Sequence, residues 1–408
     1  MGIIRLTKTA GAIMRLQTKD SYANITLRNA WDRFTNFEIN EIYPEHSLLE
    51  LDGMLFIKRE YTKGEIDRAG RDMLALHKDN PARKNAIAIV DNWRSCHAYP
   101  LQIVRTTLFN RAKKIDANSN IPQRLKSKRS IRIKLRDNPD MKLSQMQDIA
   151  GCRAIMRSMK EVNQLKKIYL DSYAKKRKGR PEWDGSDKYD YITRPKNDGY
   201  RSLHFIFRYD SSSHAQQAYV GQRVEIQIRS TLQHSWATAV EVAQSFTGQA
   251  LKQKIKHAQA DWLRFFILSS GAFAFRESCP LVPSAPKNRN ELIGELNEIE
   301  KRLNVINTLT YWSNFIEWSK KKSIPDAHSF LLILDVKKGN LNIVPFRKDE
   351  SIKAEKIRDR VENAAEDDIN KHVLLVSVED INALPKAYPN YYANTFDFIN
   401  AIKLEMAI

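Results

Sequence analysis

The segment RVEIQIRS at 223–230 alternates with a period of two. That spacing predicts a strand in which Val224, Ile226 and Ile228 face a core while Glu225, Gln227 and Arg229 share the opposite face. A carboxylate, an amide and a guanidinium in one row suit a metal-bound phosphate group. GYRSLHFIFRY at 199–209 alternates as well, with Leu203, Phe205 and Phe207 on one side and Ser202, His204 and Arg208 on the other. If the two strands pair, His204 comes near Glu225 or Gln227. Gly199 permits a sharp loop carrying Tyr200 at its tip, and an exposed aromatic there can stack on a base through its ring face.

Two further segments add charge. QRLKSKRSIRIKLRD at 123–137 reads as a basic helix with Lys126, Ser130 and Lys134 at four-residue spacing on one face, crowded by Arg129, Arg132 and Arg136. Like charges at this density repel one another unless an anion lies between them. SQMQDIAGCRAIM at 144–156 places Asp148 just ahead of an apolar strand, followed by Gly151 and Arg153. A carboxylate at a strand edge can hold a metal or make a turn, and each of these signals is weak alone.

Their order is specific. Arg124, Lys126, Ser130, Ile131 and Lys134 form the pattern R-x-K-x-x-x-S-I-x-x-K, and Asp148 to Arg153 form D-I-x-G-x-R. DYITRPKNDGYRSLH follows at 190–204, then VEIQIRS and HSWATAVE between Val224 and Glu241. This set resembles the synthetase domain of the RelA/SpoT family. The resemblance implies an enzyme that moves the β,γ-pyrophosphate of ATP to a ribose 3′-hydroxyl, with AMP released and Mg²⁺ as cofactor. It implies that Asp148 and Glu225 hold the magnesium, in keeping with the preference of that ion for one or two carboxylates plus phosphate oxygens. Glu225 is also the candidate for activating the hydroxyl. By motif match, Arg124, Lys126, Ser130, Lys134 and Arg153 would bind ATP. Lys196, Arg201 and His204 would lie near the acceptor, with Tyr200 stacked on its base and Gln227 and Arg229 completing the floor. Transfer of this kind needs in-line positioning and neutralised phosphate charge more than covalent help.

Three departures qualify the resemblance. Val240 and Glu241 stand where related small synthetases carry Glu-His, so Glu241, on a helical face with His234 and Thr238, would substitute from one position later. No His-Asp hydrolase signature is present in the N-terminal part, and 328–408 matches no regulatory module. The acceptor is expected to be GDP or GTP, giving a guanosine tetra- or pentaphosphate alarmone. The alternative acceptor is the 3′ end of tRNA, as in toxic members, with Lys175, Lys176, Arg177, Lys178 and Arg180 as the docking cations. A third reading is a non-catalytic nucleotide- or RNA-binding protein. An antitoxin or other regulatory partner would act at the C-terminal unit.

The elements that must position these residues follow from the wider pattern. The expected fold class is α+β: a mixed β-sheet core flanked by helices, with a helical N-terminal lobe and a small C-terminal α/β unit. The expected division is 1–118, 119–250, 251–325 and 326–408. SLLELDGMLFIKREY predicts a hairpin turning at Asp52-Gly53, and three helices follow between Lys63 and Lys114. SFLLILDV and LNIVPF predict a hairpin around Gly339-Asn340, then a charged helix near 350–366, a strand at HVLLVSV and a final helix. The apolar stretch FFILSSGAFAF at 265–275 is too short to span a bilayer and predicts a buried helix, and no membrane partner is expected. CPLVPSAPKNRN at 279–290 reads as a linker.

The net charge of +19 and pI near 9.6 favour polyanionic partners such as nucleotides or RNA. Cys96, Cys152 and Cys279 are too scattered for a zinc cage or a disulfide framework, and Cys152 reads as a buried hydrophobe. With no signal-peptide pattern at the N-terminus, a cytoplasmic location is expected.

Overall fold

Alternating burial builds the central sheet. In the computed structural model, which describes residues 47–408 apart from 52–53, 78, 120, 175–181, 184–186, 251–255, 316–326, 367, 369, 378–381, 383, 393 and 408, the chain begins with an antiparallel hairpin, β1 (Leu48–Leu51) and β2 (Met54–Ile57). The turn expected at Asp52-Gly53 lies outside the described residues. Helices α1 (Lys63–Ala75), α2 (Pro81–Ser95) and α3 (Ala98–Lys113) follow. Thr62 and Glu65 close a capping box on α1, and Asn80 caps α2 ahead of Pro81 at its first position.

The core then alternates strand and helix: β3 (Gln123–Leu125), α4 (Lys128–Asp137), β4 (Ala150–Met156), α5 (Met159–Ala174), β5 (Glu182–Trp183), β6 (Leu203–Arg208) and β7 (Arg223–Ser230). The strands form one sheet in the order β3-β4-β7-β6-β5. Only the β4–β7 pair is parallel, so the sheet is mixed and the fold is α+β. One sheet face, with Cys152, Ala154, Phe205, Val224, Ile226 and Ile228, packs against α3 and α5. Residues between these positions face the other way, as the period of two requires.

Helices α6 (Thr231–Ala250), α7 (Lys256–Glu277), α8 (Arg289–Leu303) and α9 (Val305–Phe315) come next. The FFILSSGAFAF stretch lies in α7 and is buried against α6 and α8: Phe265, Leu268, Ala272 and Ala274 are fully buried. A Cβ at Gly271 would come within 2.6 Å of Leu292 Cδ1, so the α7–α8 approach depends on that glycine. Among the described residues no helix is long and apolar enough to cross a membrane.

The C-terminal part holds β8 (Ala327–Asp335), β9 (Asn340–Arg347), α10 (Ser351–Ala364), β10 (Lys371–Ser377), α11 (Leu384–Ala387) and α12 (Phe396–Met406). Its antiparallel sheet has the order β10-β8-β9. Residues 47–408 form one compact unit. Within it α10 packs on β2, β10 on β3, and α12 on α6 and α7. Buried Arg94 of α2 joins Asp359 at 3.1 Å and Glu362 at 2.8 Å on α10.

Candidate active site

The polar face of the sheet gathers most of the expected residues. Asp148 sits two residues before β4 and receives Lys126 Nζ at 3.0 Å and Lys134 Nζ at 2.8 Å, one on each carboxylate oxygen. The sequence placed Lys126, Ser130 and Lys134 on one helical face. The structure corrects this: α4 starts at Lys128 behind the N-cap Ser127, whose hydroxyl accepts from Ser130 N, so Lys126 lies before the helix. The two lysines still meet because the short bend after β3 and the first two turns of α4 both aim at Asp148. The Ser130 hydroxyl is 2.8 Å from that of Ser127 at the cap. Burial pushes the Asp148 carboxyl up, but Lys126 and Lys134 prevail and hold it below the ordinary range.

Glu225 on β7 is the second carboxylate. Its Oε1 lies 2.9 Å from His204 Nδ1, and its Oε2 accepts from Gln227 Nε2 at 2.7 Å. The strands pair antiparallel with His204 opposite Gln227, which brings the imidazole beside Glu225 as expected. Burial raises the Glu225 carboxyl, yet His204, Gln227 and Lys126 together lower it to about 2. Gln227 presents its carbonyl oxygen the other way, to Arg153 Nε at 3.4 Å and to Arg229 Nη2. One amide therefore separates a carboxylate from two guanidiniums. Burial and the adjacent Arg229 push the Arg153 guanidinium down to about 9, with Glu241 opposing. Two cations this close favour an anion between or beside them.

Arg124, Lys126, Asp148, Arg153, Glu225, Gln227 and Glu241 line one small cavity of about 80 Å³. Glu241 thus reaches the site from α6, one position later than the family pattern. The cavity's other wall was not foreseen: Leu374 of β10 with Tyr388, Asn390 and Tyr391. Tyr388 Oη donates to the Gln123 carbonyl at 2.5 Å and accepts from Gln123 N at 2.9 Å, as a strand partner would. An adjoining cavity of about 550 Å³ shares Arg124, Lys126, Glu241 and Tyr391 and extends along α4 to Glu362, Glu366 and His372.

Tyr200 is half-buried rather than a free loop tip. Gly199 before it has φ +95°, and a Cβ there would lie 3.0 Å from Trp236 Cζ2 and 3.1 Å from Ser270 Cβ, so only glycine makes this loop. Lys196 Nζ and the Arg229 guanidinium lie 5.1 and 5.7 Å from the Tyr200 ring centre. Lys196 is exposed and Arg229 is buried.

Arg201 is not brought to this cluster. Its buried guanidinium donates to Ser270 Oγ at 3.0 Å and to the Ile192 carbonyl at 3.4 Å. His234 of α6 was named in the sequence only for sharing a face with Glu241. It is buried, neither ring nitrogen has a partner, and burial with Arg153 and Arg229 nearby holds it well below the ordinary histidine range. The cations Lys175–Arg180 lie outside the described residues.

Two ionised carboxylates, Asp148 and Glu225, stand among lysines and arginines on one face of the sheet. Asp148 and Glu225 fit Mg²⁺ in the way that ion is usually held, by few protein oxygens with phosphate and water supplying the rest. Among the described residues no group of three His, Cys, Asp or Glu is placed to hold a metal.

Parts of the chain are similar to known proteins. Residues 123–247 match the family described as "Region found in RelA / SpoT proteins". GTP pyrophosphokinase YjbM of Bacillus subtilis (strain 168) is 32% identical over 100 residues, which span 24% of this chain and 43% of that protein. The match thus spans less than half of the curated relative's length. Small alarmone synthetase 1 from Bacillus subtilis aligns at 24% identity over 44% of this chain and 90% of that one, with a TM-score of 0.35. A GTP pyrophosphokinase family protein from Streptococcus pneumoniae aligns at 20% identity over 44% and 87%, with a TM-score of 0.33.

Proposed function

We propose that this protein transfers pyrophosphate from ATP to the 3′-hydroxyl of GDP or GTP, releasing AMP and a guanosine tetra- or pentaphosphate alarmone. The observation that carries the reading is the pair of ionised carboxylates, Asp148 and Glu225, on the wall of one cation-rich cavity within the segment that matches the RelA/SpoT region.

The residues divide the work. Asp148 and Glu225 would hold Mg²⁺, which when bound neutralises phosphate charge and aligns the donor. Lys126 and Lys134, which share the single charge of Asp148, would contact the same phosphates. Arg124 and Arg153 offer planar cations to the donor base and phosphates. The exposed Lys196 can swing off Tyr200 to let an acceptor base stack on the ring. A carboxyl held at about 2 is a weak proton acceptor at neutral pH, so Glu225 is better suited to the metal than to the general-base role.

A cavity of about 80 Å³ is well below the roughly 300–1,000 Å³ of pockets that hold ligands of drug size. The adjoining cavity of about 550 Å³, which shares Arg124, Lys126 and Glu241 with it, lies within that range and offers room for the rest of the donor.

A second acceptor, the 3′ end of tRNA, is favoured by the charge of +19 and by the Lys175–Arg180 cluster. One experiment tests both. The protein is incubated with γ-labelled ATP, Mg²⁺ and GDP, GTP or bulk tRNA. Label in a guanosine tetra- or pentaphosphate supports the first acceptor and label in tRNA the second. Label in neither overturns the reading and leaves a nucleotide- or RNA-binding protein.

A further inference from the structure

If Tyr200 served only as a stacking platform, its hydroxyl would be idle. In the structure it is engaged. Tyr200 Oη lies 2.8 Å from His204 Nε2, and His204 Nδ1 lies 2.9 Å from Glu225 Oε1. An ionised carboxylate can only accept a hydrogen bond, so Nδ1 carries a proton. Nε2 on the far side of the ring is then paired with the tyrosine hydroxyl, which donates to it when Nδ1 carries the ring's one proton and accepts from it when both nitrogens are protonated. The imidazole is also fixed sideways: its ring stands at 87° to Tyr191 and at 84° to Tyr200. The far oxygen of Glu225 is held by Gln227 at 2.7 Å. Each end of the carboxylate thus has one assigned donor, and one of these donors is set by a loop whose path only Gly199 permits.

We propose that the Tyr200 hydroxyl is a positioning group for Glu225, acting through His204. The side chain that would seat the acceptor base then also sets the orientation of the carboxylate that would hold the metal. This rests on the reading under Proposed function for the roles of base and metal, while the hydrogen-bonded chain itself does not depend on it. Groups that orient a metal-binding side chain typically matter by 10–100-fold in affinity or activity.

Tyr200→Phe removes the hydroxyl and keeps the ring. In the full-length protein this variant should keep its acceptor KM within about twofold, lose kcat by about tenfold and bind Mn²⁺ about tenfold more weakly by electron spin resonance. Tyr200→Leu, which loses ring and hydroxyl, should raise the acceptor KM as well. His204→Gln and the double variant Tyr200→Phe/His204→Gln should be equally impaired, since the two side chains act in series. A Tyr200→Phe variant whose defect lies in KM alone, or additive losses in the double variant, would overturn the proposal.

A readout free of substrate and metal separates this failure from failure of the functional reading. In ¹⁵N-histidine-labelled apoprotein, His204 should show a protonated Nδ1, and Tyr200→Phe, which removes the partner of Nε2, should shift or broaden the His204 ring-nitrogen signals. If wild type labels no acceptor while His204 still responds to Tyr200→Phe, the functional reading falls and the positioning of Glu225 stands. Unchanged His204 signals in that variant would sink the proposal whatever the activity.

Discussion

Replacing Glu225 by Gln keeps the side chain's shape and one accepting oxygen for His204, and removes the charge together with the second accepting oxygen that Gln227 Nε2 uses. The magnitude follows from the site. The Glu225 side chain is 15% exposed, so solvent screening discounts the effect little. Burial raises its carboxyl, but His204, Gln227 and Lys126 bring it from 4.5 to about 2. At roughly 1.4 kcal/mol per pH unit this is on the order of 3 kcal/mol in favour of the folded charged form. With an unfolding entropy of roughly 2.1 cal/mol/K per residue over the described chain, the loss corresponds to a Tm lower by about 4 °C at pH 7. A carboxyl lowered by folding stabilises above its ordinary value, and that contribution disappears as pH falls from 4.5 towards 2. The gap in Tm between wild type and Glu225→Gln should therefore be full at pH 6–7 and narrow steadily below pH 4.5. Thermal unfolding in metal-free buffer from pH 3 to 7 measures it. A variant as stable as wild type at pH 7, or a gap unchanged at pH 3, would refute the electrostatic account of this site.

Other outcomes follow from the same geometry. Asp148→Ala leaves Lys126 and Lys134 without their shared anion and should lower pyrophosphate transfer by more than about 100-fold; near-normal turnover with ordinary Mg²⁺ dependence would remove Asp148 from the metal site. Arg94→Met leaves Glu362, whose side chain is 7% exposed, without its buried ion-pair partner, while Asp359 keeps Arg358 at 2.8 Å, at a cost of about 3–5 kcal/mol, or about 4–7 °C in Tm. An unchanged melting curve would show the ion pairs to be inert. Tyr391→Ala joins the two cavities beside Arg124 and should tighten binding of a non-hydrolysable ATP analogue several-fold by calorimetry. Equal or weaker binding would mean that Tyr391 helps to build the donor pocket and does not obstruct it.

How far the sequence reveals such a site depends on how local the cause is. The faces of β7 and β6 were legible because a period of two is a property of the backbone, so Glu225, Gln227 and Arg229 share a face wherever that strand packs. Pairing then put His204 opposite Gln227 without further information. Arg201 shows where the rule stops. It lies before β6 begins at Leu203, in a stretch redirected by Gly199 at φ +95°, so the strand's alternation does not extend to it and its guanidinium turns to Ser270. Lys126 failed as a helical position for a related reason: Ser127 captures the N-terminus of α4, yet two lysines on different elements still close on Asp148.

What was not legible came from residues far along the chain. Nothing in AYPNYY at 387–392 indicates that Tyr388 will bond the backbone of Gln123, more than 260 positions earlier. Its polar atom finds a partner only once β10 has docked on β3. His234 gave no more than a shared helical face, because its burial depends on α6 settling over Arg153 and Arg229. The chemistry of the site is thus written in short motifs, while the size of its cavity is fixed by long-range packing. For that reason the carboxylates and cations could be named from their neighbours in sequence, whereas the wall of Leu374, Tyr388, Asn390 and Tyr391 facing them had to be seen.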